Sequence, residues 1–391
     1  MLQMYSCRYL LFIKYGDKMT LLELFIKLLK FKSVTPDDAG TYDFLDSYLE
    51  GFECIKLDME GVKNRLYYKK FGTSDKHLCF AGHIDVVPAG SGWEGDPFLP
   101  IIKDDIIIAR GTQDMKSGVA AFCHAVKNTK EFDGIISILL TSDEEGDAKY
   151  GTIEMLKHLK QINFLPDFAI VAEPTCEEIF GDAIKVGRRG SINGVVELKG
   201  VQGHAAYPNK CINPVELIAP ILPQIAGIDL DSGDEYFAPS KLVITDIRAG
   251  MEVTNVTPAE LKMMFNVRNS TKTDIQKIEK FINEKFEGLD FTLKLSQSAK
   301  PFVTNKESLI VKTLADSIET VCGVKTKLST AGGTSDARFF GEFGVDTVEF
   351  GVINDTIHSV NERTNISQVE ALAKIFEDLI SKIKYGTITI S

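Results

Sequence analysis

The sequence predicts an α/β fold: a catalytic domain with a mixed, mostly parallel sheet flanked by helices, interrupted by an inserted α+β domain. Three observations predict it. Short apolar runs at 78–81, 135–140 and 168–171 alternate with helical periodicity at 118–128 and 152–160, as βαβ units require. From about 190 to 302 the strand candidates (192–198, 241–247, 261–267) instead alternate polar and apolar residues, with helices at 213–226 and 273–287 between or after them. The first pattern then resumes in 309–322 and 347–350. At 391 residues the chain is too long for one compact core, so two domains are expected.

In chain order, residues 1–18 hold an apolar stretch, 9–13, too short to span a bilayer and followed by no small-residue cleavage site. This segment reads as an extension, with translation starting at Met19. Thr20 then caps an amphipathic helix over 21–31. The catalytic domain takes 19–189 and 303–391, and the insert takes 190–302. No other segment approaches transmembrane length.

Hydrophobic content of 44% and charged content of 25% are ordinary globular values. A net charge of −11 argues against nucleic acid or an anionic membrane as partner. The seven cysteines (Cys7, Cys54, Cys79, Cys123, Cys176, Cys211 and Cys322) are scattered, odd in number and without a CxxC pair. That pattern fits a reducing cytoplasm.

Chemistry-bearing residues gather where the apolar runs end. His83 lies in Gly82-His83-Ile84-Asp85, Asp114 before a helix, Glu144-Glu145 after 135–140, Glu173 before Pro174, and His358 in a late loop. Strand ends in an open α/β sheet converge on one crevice. Two imidazoles and three carboxylates suit zinc, and one carboxylate can bridge two ions. In His83-Ile84-Asp85 the polar side chains are two apart and point the same way on an extended chain. Asp85 is therefore expected to accept the second ring N–H of His83. Each motif has a plainer alternative. Asp114 could be a helix cap, Glu144-Glu145 a solvated acidic loop, and His358 a structural histidine. Asp143 and Asp147 read as solvated loop charges, while His77, His124 and His158 receive no role.

Together these residues resemble the co-catalytic zinc family of aminoacylases, carboxypeptidases and deacylases, over the whole chain from Met19. The shared stretches are 82–88, 141–146 and 173–175. Others, at 187–191, 203–208, 332–338 and 357–362, resemble the branch that removes a succinyl group from an amino acid. A related N-acyl deacylase or dipeptidase would share every ligand, and a binding protein would be expected to have lost one. The resemblance implies two zinc ions per subunit, with cobalt able to replace them. His83 and Glu173 would hold one, Glu145 and His358 the other, and Asp114 would bridge. Glu144 would be the general base, and His204 would reach the partner's site in a homodimer. A substrate with three carboxylates would be met by Arg188, Arg268, Tyr207, Asn255 and the Gly333-Thr334-Ser335 loop. Without the resemblance, Arg188 reads equally as a hinge salt bridge and Arg268 as a surface charge, and the plainer alternative for His204 is a surface histidine in a strand-to-helix turn.

Overall fold

The computed structural model describes residues 19–383, so the 1–18 extension lies outside the described residues. Its larger sheet has eight strands in the spatial order Glu53–Met59, Val62–Phe71, Gly134–Thr141, His77–His83, Phe168–Val171, Asp346–Glu349, Ala183–Lys185 and Lys327–Ser329. The four strands from Gly134–Thr141 to Asp346–Glu349 run parallel. All eight residues of Gly134–Thr141 and all seven of His77–His83 are buried, because helices cover both faces. Helices Leu21–Leu29, Lys116–Asn128, Leu309–Cys322 and Ile366–Lys382 pack one side around Phe80, Phe122 and Phe376. Thr152–Gln161 and Ala337–Glu342 contribute to a smaller core containing Leu139, Leu156 and Phe340.

The first helix starts as the sequence indicates. The Thr20 side chain accepts from the Glu23 backbone and the Glu23 carboxylate accepts from Thr20, a reciprocal cap.

A second sheet, in the order Lys241–Ala249, Glu260–Arg268, Ser191–Lys199 and Phe291–Ala299, is wholly antiparallel. It has a core of its own, including Ile192, Met263, Phe265, Ile282 and Phe286. Alternating burial along Glu260–Arg268 shows one covered face and one wet face. The expected helix over 213–226 is two short pieces, Pro214–Ile218 and Leu222–Ile225. Pro220 removes a backbone donor and clashes with the preceding turn, which ends the first piece. Where the chain enters and leaves this part, Gly187–Arg188 and Phe302–Val303 pair side by side.

Candidate metal centre and active site

Parallel register brings the candidate ligands together. His83 is the last residue of its strand and is level with Thr141, from which the acidic loop leads to Glu144. Ala81 is level with Val171, two residues before Glu173. The helix Lys116–Asn128 presses on the same edge so closely that a Cβ at Gly118 would collide with the Ala172 carbonyl. That approach brings Asp114, two residues before the helix, to the strand ends.

Asp114 stands between two imidazoles. Its Oδ1 lies 3.1 Å from His83 Nε2 and its Oδ2 lies 3.3 Å from His358 Nε2. His358 Nε2 is also 3.0 Å from Glu145 Oε1, and His83 Nε2 is 3.8 Å from Glu173 Oε1. Two donor triads result, His83–Asp114–Glu173 and Asp114–Glu145–His358, each with its atoms within 4.8 Å of one another. Glu144 belongs to neither triad, although its Oε2 is 4.0 Å from His83 Nε2. Asp114 makes no cap bond to the following helix, so the cap alternative is corrected by the geometry.

The electrostatics follow from this crowding of acidic and imidazole groups. Burial, the Asp114 charge and other nearby carboxylates push Glu173 well above the usual carboxylate range, and burial with Asp336, Asp114 and Glu145 does the same to Glu144. Burial alone would lower His83, but the Asp114 hydrogen bond and the charges of Glu173, Asp85 and Glu144 outweigh it and raise the imidazole. Hydrogen bonds to Asp114 and Glu145 lift His358 to about 10. Crowded carboxylates and imidazoles whose ionisation is shifted this far are a donor set that divalent cations would neutralise, so these residues fit two metal ions sharing Asp114.

Several expectations need correction. The ring Nδ1 of His83 pairs with the Asp85 backbone carbonyl at 2.8 Å, while the Asp85 carboxylate is 3.6 Å away. That carboxylate instead accepts from the backbone N–H groups of Glu144 (3.4 Å) and Glu145 (3.1 Å). The Asp85 carboxylate thus shapes the acidic loop, while its backbone carbonyl, which can only accept, holds the proton on His83 Nδ1. Asp143 is buried, not solvated, and its Oδ2 accepts from Lys149 and Tyr150 at 3.0 and 3.2 Å. Asp147 is exposed and pairs with Lys149.

The residues expected to meet substrate fall in separate places. Arg188 is buried near Glu173 and Glu144. Its Nε donates to Glu349 at 2.8 Å, its Nη2 also donates to Glu349, and its Nη1 donates to the Ala331 carbonyl at 2.9 Å. The Ser335 hydroxyl likewise donates to Glu349, while Gly333 and Thr334 are exposed on the same loop. On the second sheet's side, His204 is exposed on a short ribbon, Gly203–His204 against Val256–Thr257. Tyr207 and Asn255 are beside it: the Ala205 N–H donates to the Asn255 carbonyl, and the Tyr207 ring lies 5.7 Å from the imidazole. Arg268 is exposed at the end of Glu260–Arg268, opposite Lys241.

Sequence reasoning assigned no role to Glu349, Arg110 or Glu362, all fully or almost fully buried. The one signal for Glu349 is a charge inside the apolar run Val348-Glu349-Phe350.

This fold, with paired ligand triads at its strand ends, defines a metal-dependent hydrolase. The chain belongs to peptidase family M20/M25/M40, which it matches over residues 79–382. It is 66% identical over 363 residues to a succinyl-diaminopimelate desuccinylase of Aliarcobacter butzleri, covering 93% of this chain and 99% of that one. A protein of the same name from a Nitratiruptor species is 62% identical, with the same coverage. Among solved structures, the aminopeptidase PepT of Bacillus cereus superposes with a TM-score of 0.78 at 20% identity, covering 92% of this chain and 97% of that one.

Proposed function

We propose that this chain hydrolyses N-succinyl-LL-2,6-diaminopimelate to succinate and LL-2,6-diaminopimelate, using two zinc ions per chain that cobalt can replace. The observation that carries the chemistry is the single carboxylate, Asp114, with one oxygen toward each of two histidines. The substrate is supported by the relatives' name at 66% and 62% identity over nearly their full length.

His83, Asp114 and Glu173 would hold one cation, and Asp114, Glu145 and His358 the other. The cations would supply Lewis-acid polarisation of the amide carbonyl and acidify water to a pKa of about 7. Glu144, outside both triads, takes the proton from the attacking water and returns it to the leaving amine. Asp85 orients Glu144 by holding its backbone. Arg188, Thr334 and Ser335 bind a substrate carboxylate beside the metal site, with Gly333 letting the backbone approach.

The chain acts as a homodimer in which His204, with Tyr207, Asn255 and Arg268, completes the partner's site and donates to the developing oxyanion. An edge strand supports this reading. Lys241–Ala249 borders the second sheet and exposes Val243 and Ile247, with Met251 and Val253 exposed just beyond. Unpaired edges with apolar side chains are ready surfaces for a second copy. The reaction serves diaminopimelate and lysine formation in the cytoplasm. No helix among the described residues is long and apolar enough to cross a membrane.

The test is turnover of N-succinyl-LL-2,6-diaminopimelate beside N-acetylornithine with zinc added. Preference for the succinylated compound is expected. Equal or reversed preference would reject the substrate while leaving the hydrolase intact.

A further inference from the structure

The loops bearing Asp114 and His358 are far apart in sequence, and one buried ion pair fastens both. Glu362 is wholly buried and accepts four hydrogen bonds. Its Oε2 takes Arg110 Nη1 at 2.7 Å and the Gly111 N–H at 3.0 Å, while its Oε1 takes the N–H groups of Gln113 at 2.7 Å and Asp114 at 3.2 Å. One carboxylate thus grips the whole turn that presents Asp114. Arg110, 2% exposed, continues the grip on the other side. Its Nη1 donates to the Ser359 carbonyl, and its Nη2 donates to the His358 carbonyl, each at 3.4 Å. A third contact, from Nη2 to the Ala89 carbonyl at 3.3 Å, and the Trp93 ring, 5.1 Å from the guanidinium, fix its plane.

Stability alone is a weak reason for such a pair, because desolvating two charges offsets most of their attraction. What the contacts do accomplish is geometric: they set the separation of Asp114 from His358. His358 needs outside support, since its side chain is 48% exposed and its backbone has φ of 59°, a conformation that costs a non-glycine residue energy unless its surroundings hold it.

We propose that Arg110 and Glu362 are positioning residues that preset the Asp114–Glu145–His358 triad for its cation, while the His83–Asp114–Glu173 triad depends on them less, because His83 and Glu173 sit at strand ends. The inference rests on the two-cation reading above.

The experiment is a calorimetric titration of chelator-stripped protein with Co²⁺, followed in parallel by the cobalt visible absorption spectrum. The parent should bind two ions. Glu362→Gln replaces one acceptor oxygen by an amide NH₂ that faces backbone donors, and it should weaken one binding step at least tenfold while moving the other less than about threefold. Arg110→Lys, which keeps the charge and loses the fork, should fall between the parent and Glu362→Gln. Excess Co²⁺ should restore the two-ion spectrum. The double variant Arg110→Met/Glu362→Met strands no charge and should show the same selective loss with an apo melting temperature near the parent's.

Two parental steps in the double variant would overturn the proposal. So would equal weakening of both steps, or failure of all three variants to fold, since either would make the pair a scaffold element. A parent that binds no second ion would instead refute the two-cation reading.

Discussion

At the scale of single residues, the acidic pair divides its work by neighbour. Glu145 is paired with His358 at 3.0 Å, whereas Glu144 is outside both triads. Glu144→Gln should therefore keep the parent's zinc content and lose about 10²–10⁴-fold in turnover. Glu145→Gln should lose zinc, and metal analysis showing the opposite pattern would exchange the two roles. Arg188 calls for a different design. Its guanidinium is held by buried Glu349, so Arg188→Leu would strand a buried charge, at a cost of about 3–5 kcal/mol. That variant should lower both the melting temperature and affinity for the succinylated substrate. Adding Glu349→Gln should recover part of the melting temperature and none of the affinity. Recovery of both would make the pair purely structural. The candidate ligands were legible in the sequence as a set, because five such residues at the ends of apolar runs occur together, although each alone has a plainer use. Glu349, Arg110 and Glu362 were not, because their meaning lies in partners 161 and about 250 residues away. The Asp85 expectation failed for a local reason: the carbonyl of Asp85 itself reaches the ring before its carboxylate does.

At the scale of elements, the buried parallel strands were readable almost to the residue. Phe168–Val171 has the expected bounds, and His77–His83 and Gly134–Thr141 extend the apolar runs by a few residues. The strands Glu53–Met59 and Val62–Phe71 carried no such signal, since Glu53–Met59 has no buried residue and the buried positions of Val62–Phe71 include the polar Asn64 and Arg65. His77, left without a role, opens a central strand. Its Nε2 is 2.6 Å from Ser137 Oγ on the neighbouring strand, and burial pushes the imidazole down to about 4. The folded pKa is thus below the unfolded value of about 6.5. Above that value the ring is neutral in both states and costs nothing. As pH falls from 6.5 toward 4, only the unfolded chain takes up the proton, and stability is lost. The loss is about 3 kcal/mol at most. His77→Gln should remove this component, so urea midpoints for parent and variant should converge between pH 7.5 and 4.5. Parallel curves over that range would show that His77 does not titrate differently on folding.

At the scale of the whole molecule, the triads and His204 belong to different sheets. The triads lie at the strand ends of the larger sheet, while His204 is exposed on a ribbon near the smaller one. The change from wholly apolar to alternating strands made this division legible, because each periodicity reports how many faces of a sheet are covered. Whether His204 serves a second copy's site was not legible, since a single chain's sequence does not report a surface between copies. Cyclic symmetry makes the shared-site reading testable. In a two-fold dimer every contact occurs twice, so a subunit lacking His204 can still have a complete site if its partner supplies the histidine. Chains carrying His204→Ala and chains carrying Glu144→Gln should each be nearly inactive while retaining zinc. Mixed at equal amounts and allowed to exchange, half the dimers should be hybrids. Each hybrid holds one site with its own Glu144 and the partner's His204, so activity should return to roughly a quarter of the parent's. The other site in the hybrid lacks both groups and adds nothing. If native mass spectrometry shows the hybrids and activity stays at baseline, His204 does not act across the interface. A His204→Ala chain with full activity alone would remove His204 from the reaction altogether.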